Sequence, residues 1–243
     1  AQEADYLAEA ASLERYASLV ADEHELLVPR AHRDLTTARI LAMDYMDGEP
    51  LETLAAPGVA QATRDAIGTL LERLLFRELF EFRTMQTDPN FANYLWQPDT
   101  GKVVLLDFGS TMQFDPAFVD AYARITRAVI AGDRAAVARH AIAIGYAAAD
   151  DTPQLIAATT DLIMLVCEPV RHLGRYDFAA SDLASRGRAL GFDLGIRQGL
   201  LRVPPPQTMF LHRKLVGSFL MLAHIGARVD ARRLVLPLLE GKG

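Results

Sequence analysis

Residues 85–109 read MQTDPNFANYLWQPDTGKVVLLDFG, and this stretch decides how the whole chain is organised. Met85 to Trp96 shows no helical period, and Asp88-Pro89 disfavours helical geometry at Asp88, because the proline ring crowds the residue before it. Asp99-Thr100-Gly101 is a hairpin-type turn, and Lys102 to Leu106 is a short apolar strand leading into Asp107-Phe108-Gly109. The stretch therefore reads as a loop, a strand, a turn and a second strand paired with the first. Asp88 and Asn93 lie on the loop, and Asp107 lies just past the second strand.

Outward from it the pattern is helical. The spacing predicts a long helix from Thr63 to Phe82 with Ile67, Leu70, Leu71, Leu74, Leu75, Leu79 and Phe82 as its buried stripe. Residues 2–21 carry apolar groups at helical spacing, Pro29 breaks that run, and Arg39 to Met46 reads as a strand. Asp47-Gly48-Glu49-Pro50 is a turn by its residue types. Downstream, Asp115-Pro116 opens a helix that Gly132 stops, Asp133 caps the next one as far as Gly145, and Thr152-Pro153 opens a third towards Cys167. Gly187, Gly191, Gly195 and Gly199 break residues 178–200 into short pieces, and Pro204-Pro205-Pro206 leads into a last long helix, Gln207 to His224. The expected architecture is one mainly α unit with a small β component.

Composition narrows the classes. The 243 residues are 51% hydrophobic and 23% charged, so the chain can bury a core and is not a disordered segment. A net charge of −6 argues against broad nucleic-acid binding, and no nucleic-acid partner is expected. Cys167 is the single cysteine, which excludes an internal disulfide and a multi-cysteine zinc site. The run Leu215 to Ala227 is too short to span a membrane and is flanked by Arg213, Lys214 and Arg228. The chain starts without Met and inside a helical pattern, which reads as a fragment. Its three lysines all follow residue 101 while arginine is spread throughout, a bias that points to a bacterial, cytoplasmic protein, peripheral at most to the inner membrane.

Asp-x-x-x-x-Asn followed by Asp-Phe-Gly is an arrangement used for phosphoryl transfer from a nucleotide. Triphosphate oxygens are densely charged and need Mg²⁺, which takes hard oxygen ligands, commonly one or two carboxylates with phosphates and water. Asp107 supplies a carboxylate and Asn93 a neutral oxygen, while Asp88 is placed to orient the attacking group and accept its proton. Gly109 is expected to let the backbone turn sharply there. The six histidines show no paired metal-ligand spacing. Phe108, Tyr94 and Trp96 read as packing residues, Cys167 as an inert buried thiol, and His212-Arg213-Lys214 as a solvated basic turn that anionic headgroups could meet.

The run from Phe82 to Tyr94, the run Val103 to Thr111, Val28-Pro29, the Asp47–Leu51 turn and the tail motifs from Val203 and Leu211 closely resemble the UbiB/AarF family of atypical protein-kinase-like ATPases. The resemblance implies a protein-kinase-like fold, with residues 1–47 as part of an N-lobe and 48–243 as a helical C-lobe. It implies ATP and Mg²⁺ as cofactors and a role in ubiquinone or related isoprenoid-quinone biosynthesis. By the same resemblance Asp88 is the catalytic-loop aspartate and Asn93 and Asp107 are the metal ligands. Glu3 is the partner of a nucleotide-binding lysine, Glu9 a second acid on the same helix, and Met43 to Asp47, including Tyr45, the hinge facing adenine. Quinone precursors or an anionic membrane surface are the implied partners, with a homodimer or a biosynthetic complex as the implied assembly. The chain departs from the family in having no lysine before Lys102, no Ala-rich nucleotide loop or Lys-x-Gly-Gln motif, and Ser110-Thr111-Met112-Gln113 where many relatives place an arginine. Two other readings fit less of the pattern: a catalytically silent kinase-like module that binds lipids or partner proteins, and a small-molecule phosphotransferase like the aminoglycoside kinases, which usually place a second metal-binding Asp where Gly109 stands.

Overall fold

The computed structural model describes residues 5–192 and 206–240. Asp5 caps the first helix, α1 (Tyr6–Leu19), by accepting from the backbone N–H groups of Leu7 and Ala8 at 3.1 and 3.2 Å. That helix buries Ala10, Leu13 and Tyr16. Strand β1 (Leu26–Leu27) and strand β2 (Glu49–Pro50) follow, then a 3-10 turn over Leu51–Ala55. Helix α2 (Gln61–Phe80) leads through β3 (Thr84–Gln86) into the loop, a 3-10 turn at Phe91–Asn93, and strands β4 (Tyr94–Trp96) and β5 (Val103–Leu105).

Strands β1, β5, β4 and β2 lie in that order in one sheet, with β5 parallel to β1 and antiparallel to β4. Strand β6 (Thr111–Gln113) pairs with β3, so the two ends of the decisive stretch are closed against each other. Helices α3 (Pro116–Ala131), α4 (Arg134–Ile144), α5 (Pro153–Val166), α6 (Glu168–Arg171) and α7 (Leu183–Phe192) come next. Gly132 and Gly145 end α3 and α4 with φ of 71° and 95°, a conformation that costs glycine nothing. Strand β7 (Tyr176–Asp177) precedes α7 and pairs with β8 (Arg228–Val229). Between α7 and the chain's end come α8 (Pro206–Ile225), β8 and α9 (Ala231–Leu239). No helix among the described residues is long and apolar enough to cross a membrane.

Helix α2 is the pillar of the molecule. Ile67, Leu70 and Leu74 face one apolar cluster with α1, the four-stranded sheet and the end of α8. Leu75, Phe76, Leu79 and Phe80 face a second with α3, α4 and α9. Each such side chain contributes about 1.5–3 kcal/mol by leaving water. Because neighbours surround the helix, its polar positions Asp65, Glu72, Arg77 and Glu78 are buried as well.

Several expected elements are corrected. Arg39 to Met46 is not a strand: it returns along residues 30–32 as an irregular hairpin, held by His32 N–H to Ala42 O at 2.8 Å and Asp44 N–H to Arg30 O at 3.0 Å. Leu41 packs against the core, but Ile40 is 59% and Tyr45 88% exposed. Helix α9 and the β7–β8 pair were not expected; Pro237 inside α9 reads as a helix breaker but stands near its end. The Gly195, Gly199, Pro204 and Pro205 readings lie outside the described residues, as does Glu3.

Candidate functional site

The loop between β3 and β4 is anchored at each step. Thr87 donates both its N–H and its hydroxyl to Ser110 O, at 2.9 and 2.8 Å, and Gln86 Nε2 donates to Asp88 O at 2.9 Å. Asn93 Nδ2 then donates back to Asp88, to the backbone O at 3.1 Å and to Oδ2 at 3.3 Å, so the loop's two candidate residues touch. Register brings Asp107 to the same end of the sheet. Tyr94 sits opposite Leu105, and Leu106 N–H donates to Asn93 O at 3.0 Å, which leaves Asp107 one residue beyond that bond. No hydrogen bond or ion pair joins Asp88 directly to Asp107.

At Asp107 the turn is closed by the side chain: Gly109 N–H donates to Asp107 Oδ1 at 2.8 Å. Gly109 does not take up a left-handed φ, so the expectation that its backbone freedom makes the turn is corrected. The close neighbour there is Glu9 on α1. A Cβ on Gly109 would stand 3.4 Å from Asp107 Oδ1 and 3.5 Å from Glu9 Oε2. Burial, and then the charge of Asp107, push the Glu9 carboxyl above its ordinary pKa. Phe108 is 1% exposed and packs its ring 4.9 Å from that of Tyr16, fixing the turn against α1 as a packing residue.

The long helix α8 walls the loop from the other side, in a way the sequence did not disclose. Arg213 Nη2 donates to Asp88 Oδ1. Lys214 is 3% exposed and donates to Tyr94 OH at 3.1 Å and Gln86 Oε1 at 3.3 Å, with Glu78 Oε2 at 3.4 Å. Glu78 Oε1 accepts from Tyr16 OH at 2.7 Å and from Gln86 N–H at 2.8 Å. Burial raises the Glu78 carboxyl against the pull of Lys214; burial lowers Lys214, but Glu78 and Tyr94 outweigh that and leave it raised. The contact ties α1, α2, the loop and α8 together. One turn on, a Cβ on Gly217 would fall 2.1 Å from Pro89 Cγ, so only glycine lets α8 lie this close. His212 stacks on Tyr146 and bonds its OH at 2.7 Å. The expected solvated basic turn is thus three separately partnered residues.

The remaining expectations fall as follows. Tyr94 and Trp96 are packing residues, Trp96 Nε1 donating to Thr53 Oγ1 at 2.8 Å. Burial pushes the Cys167 thiol up to about 11, consistent with an inert group. Met43 bridges Ala31 and is 37% exposed, Tyr45 is largely in solvent, and neither bonds to the loop. A cleft of about 560 Å³ between α1 and residues 28–34 does not include Asp88, Asn93 or Asp107. No cluster of three His, Cys, Asp or Glu side chains suited to a metal occurs among the described residues. Two oxygens near the loop, Asn93 Oδ1 and Asp107 Oδ2, carry no hydrogen bond among the described residues. A donor set of one amide and one carboxylate fits a cation that completes its shell with phosphate and water, and not one that demands a full protein cage.

A helical lobe that presents an Asp-x4-Asn loop and an Asp-Phe-Gly turn at one end of a small sheet is a protein-kinase-like fold, here its C-lobe with part of the N-lobe. The ABC1 atypical kinase-like domain matches residues 1–141, and the chain belongs to that family. It is 38% identical over 96% of its length to "Atypical kinase COQ8B, mitochondrial" of Rattus norvegicus, covering 44% of that protein. It is 33% identical over 98% of its length to the mitochondrial atypical kinase COQ8 of Schizosaccharomyces pombe, covering 38% of it. With the COQ8 of Saccharomyces cerevisiae the figures are 32%, 96% and 46%, so the chain spans less than half of each relative. A solved structure of Rv3197 from Mycobacterium tuberculosis, in complex with erythromycin, shares the fold at TM-score 0.77 and 19% identity, over 99% of this chain and 59% of that one. These relatives correct one expectation: they are mitochondrial proteins of eukaryotes, and a bacterial cytoplasmic protein at an inner membrane is not supported.

Proposed function

We propose that this chain carries the phosphoryl-transfer site of an atypical kinase or ATPase that uses Mg·ATP and serves ubiquinone or related isoprenoid-quinone biosynthesis. The observation that supports the reading is the Asn93–Asp88 hydrogen bond together with the β4–β5 pairing, in which Leu106 N–H bonds Asn93 O one residue before Asp107. By the family resemblance residues 1–47 are the N-lobe portion, with Met43 and Tyr45 in its hinge segment and Glu3 the partner of a nucleotide-binding lysine, and 48–243 the C-lobe. Asp107 and Asn93 hold the cation, and Glu9 adds negative charge next to Asp107. Mg²⁺ held there would supply charge neutralisation for the phosphates. Asp88 orients the attacking hydroxyl or water and accepts its proton. The quinone assignment rests on the family resemblance; quinone precursors or an anionic membrane surface, and a homodimer or biosynthetic complex, belong to the same proposal.

In the full-length protein Asp107→Asn abolishes Mg²⁺-dependent nucleotide binding, read by titration calorimetry with and without the metal. Unchanged affinity refutes the assignment. Asp88→Ala keeps nucleotide binding and loses Mg·ATP hydrolysis. A wild-type protein that binds no nucleotide at all leaves the silent, kinase-shaped binding module.

A further inference from the structure

Asp88, Asp107 and Glu9 put three carboxyl groups around the proposed site, and the loop offers no charge to answer a phosphate. From residue 84 to residue 123 the only basic side chain is Lys102, in the turn at the far end of the β4–β5 hairpin. The positive charge that reaches Asp88 comes from α8, 125 positions further along the chain, as Arg213. Its Nη2 bonds Asp88 Oδ1, while Asp88 Oδ2 is taken by Asn93. Among the described residues no hydrogen bond engages Arg213 Nε or Nη1, and the side chain is 56% exposed. A guanidinium presents five N–H donors in a rigid fork suited to phosphate, so one edge can hold the aspartate while another remains for an anion.

Resting on the phosphoryl-transfer reading above, we propose that Arg213 is a terminal-phosphate contact of the site, delivered by α8. Lys214 and Gly217 fix where it stands. Lys214 is buried against Gln86 and Tyr94, and Gly217 seats α8 on Pro89, so the backbone at residue 213 is held next to the loop on both sides. Arg213 then offsets the acidic surroundings where the transferred group must sit. It discriminates a triphosphate from a diphosphate, because the latter ends before reaching it.

The test measures ATP and ADP affinity, each with Mg²⁺, in the full-length protein and its Arg213→Ala and Arg213→Lys variants. Arg213→Ala weakens ATP about ten- to a hundredfold, the range of a charge-assisted hydrogen bond, and leaves ADP within about threefold. Arg213→Lys keeps a charge without the fork and falls between. Equal losses for ATP and ADP, or none for either, overturn the proposal. If circular dichroism shows that the alanine variant is unfolded, the ATP-to-ADP ratio of the lysine variant decides in the same way. A wild-type protein that binds neither nucleotide sinks the underlying reading instead, an outcome distinct from an unchanged ratio.

Discussion

Replacing Lys214 by Met removes the charge that answers Glu78 and leaves a side chain of similar length in its place. Glu78 is fully buried, and its Oε2 has no hydrogen-bond partner besides the ion pair at 3.4 Å. Deleting one member of a buried pair strands the other charge, which costs about 3–5 kcal/mol. At about 2–4 °C per kcal/mol for a domain of this size, the melting temperature falls by about 6–20 °C. The sign with pH follows from Glu78. Burial already holds its carboxyl above the usual range, and without Lys214 that rise is larger. A raised carboxyl destabilises the fold progressively as pH rises from its unfolded-state value to its folded-state pKa, and the penalty is absent below that window. The loss is therefore largest near pH 8 and shrinks towards pH 5. Thermal melts followed by circular dichroism at both pH values measure it, and Glu78→Gln/Lys214→Met loses less than Lys214→Met alone. A melting temperature within about 2 °C of wild type at pH 8 would refute the pairing.

Two further variants address neighbouring features. Gly217→Ala forces a methyl into Pro89 and costs about 1–3 kcal/mol by overpacking; it also shifts the loop, so Mg·ATP hydrolysis falls with it, and a variant of unchanged melting temperature and activity contradicts the contact. Glu72 is buried with no hydrogen bond or ion pair among the described residues, and its carboxyl is pushed up to about 7 by burial, so the native fold is penalised progressively as pH rises from about 4.5 to 7. Glu72→Gln lifts that penalty, raising stability at pH 8 by up to about 3 kcal/mol and by little at pH 4.5, which urea unfolding at the two pH values reads.

The loop, its two strands and the Asp-Phe-Gly turn were legible because local signals set them: a proline after Asp88, a Gly-containing turn, and two short apolar runs that register could pair in only one useful way. The caps at Asp115, Asp133 and Thr152 were legible for the same reason. The polar positions of α2 were not. A stripe of leucines announces one buried face, but the helix is enclosed, and two of its three buried carboxylates find partners on other elements: Asp65 accepts from Arg175 and from Arg228 N–H, and Glu78 from Tyr16 and Gln86. Arg213 and Lys214 misled in the mirror-image way. Two adjacent cations on a helix look solvated when nothing nearby in sequence is acidic, and their acids lie on other elements. Arg39 to Met46 failed because β-branched and bulky residues indicate a strand only where a sheet edge is there to receive them.

The division between the family match and the site carries a consequence for how the site works. The match ends at residue 141, and it contains Asp88, Asn93, Asp107 and Glu9. It also contains Glu78, a buried acid whose ion pair among the described residues is with Lys214, and Pro89, against which Gly217 packs. The loop's chemistry thus lies in one part of the chain and its mechanical support in another. Any movement of α8 away from α2 exposes Glu78 to water, releases Gln86 and frees Asp88 from Arg213 in the same step, because these contacts share two consecutive residues of one helix. A lesion in residues 206–225 is therefore expected to read out at the phosphate and not only in stability, which is why the comparison of ATP with ADP discriminates where a melting curve alone does not.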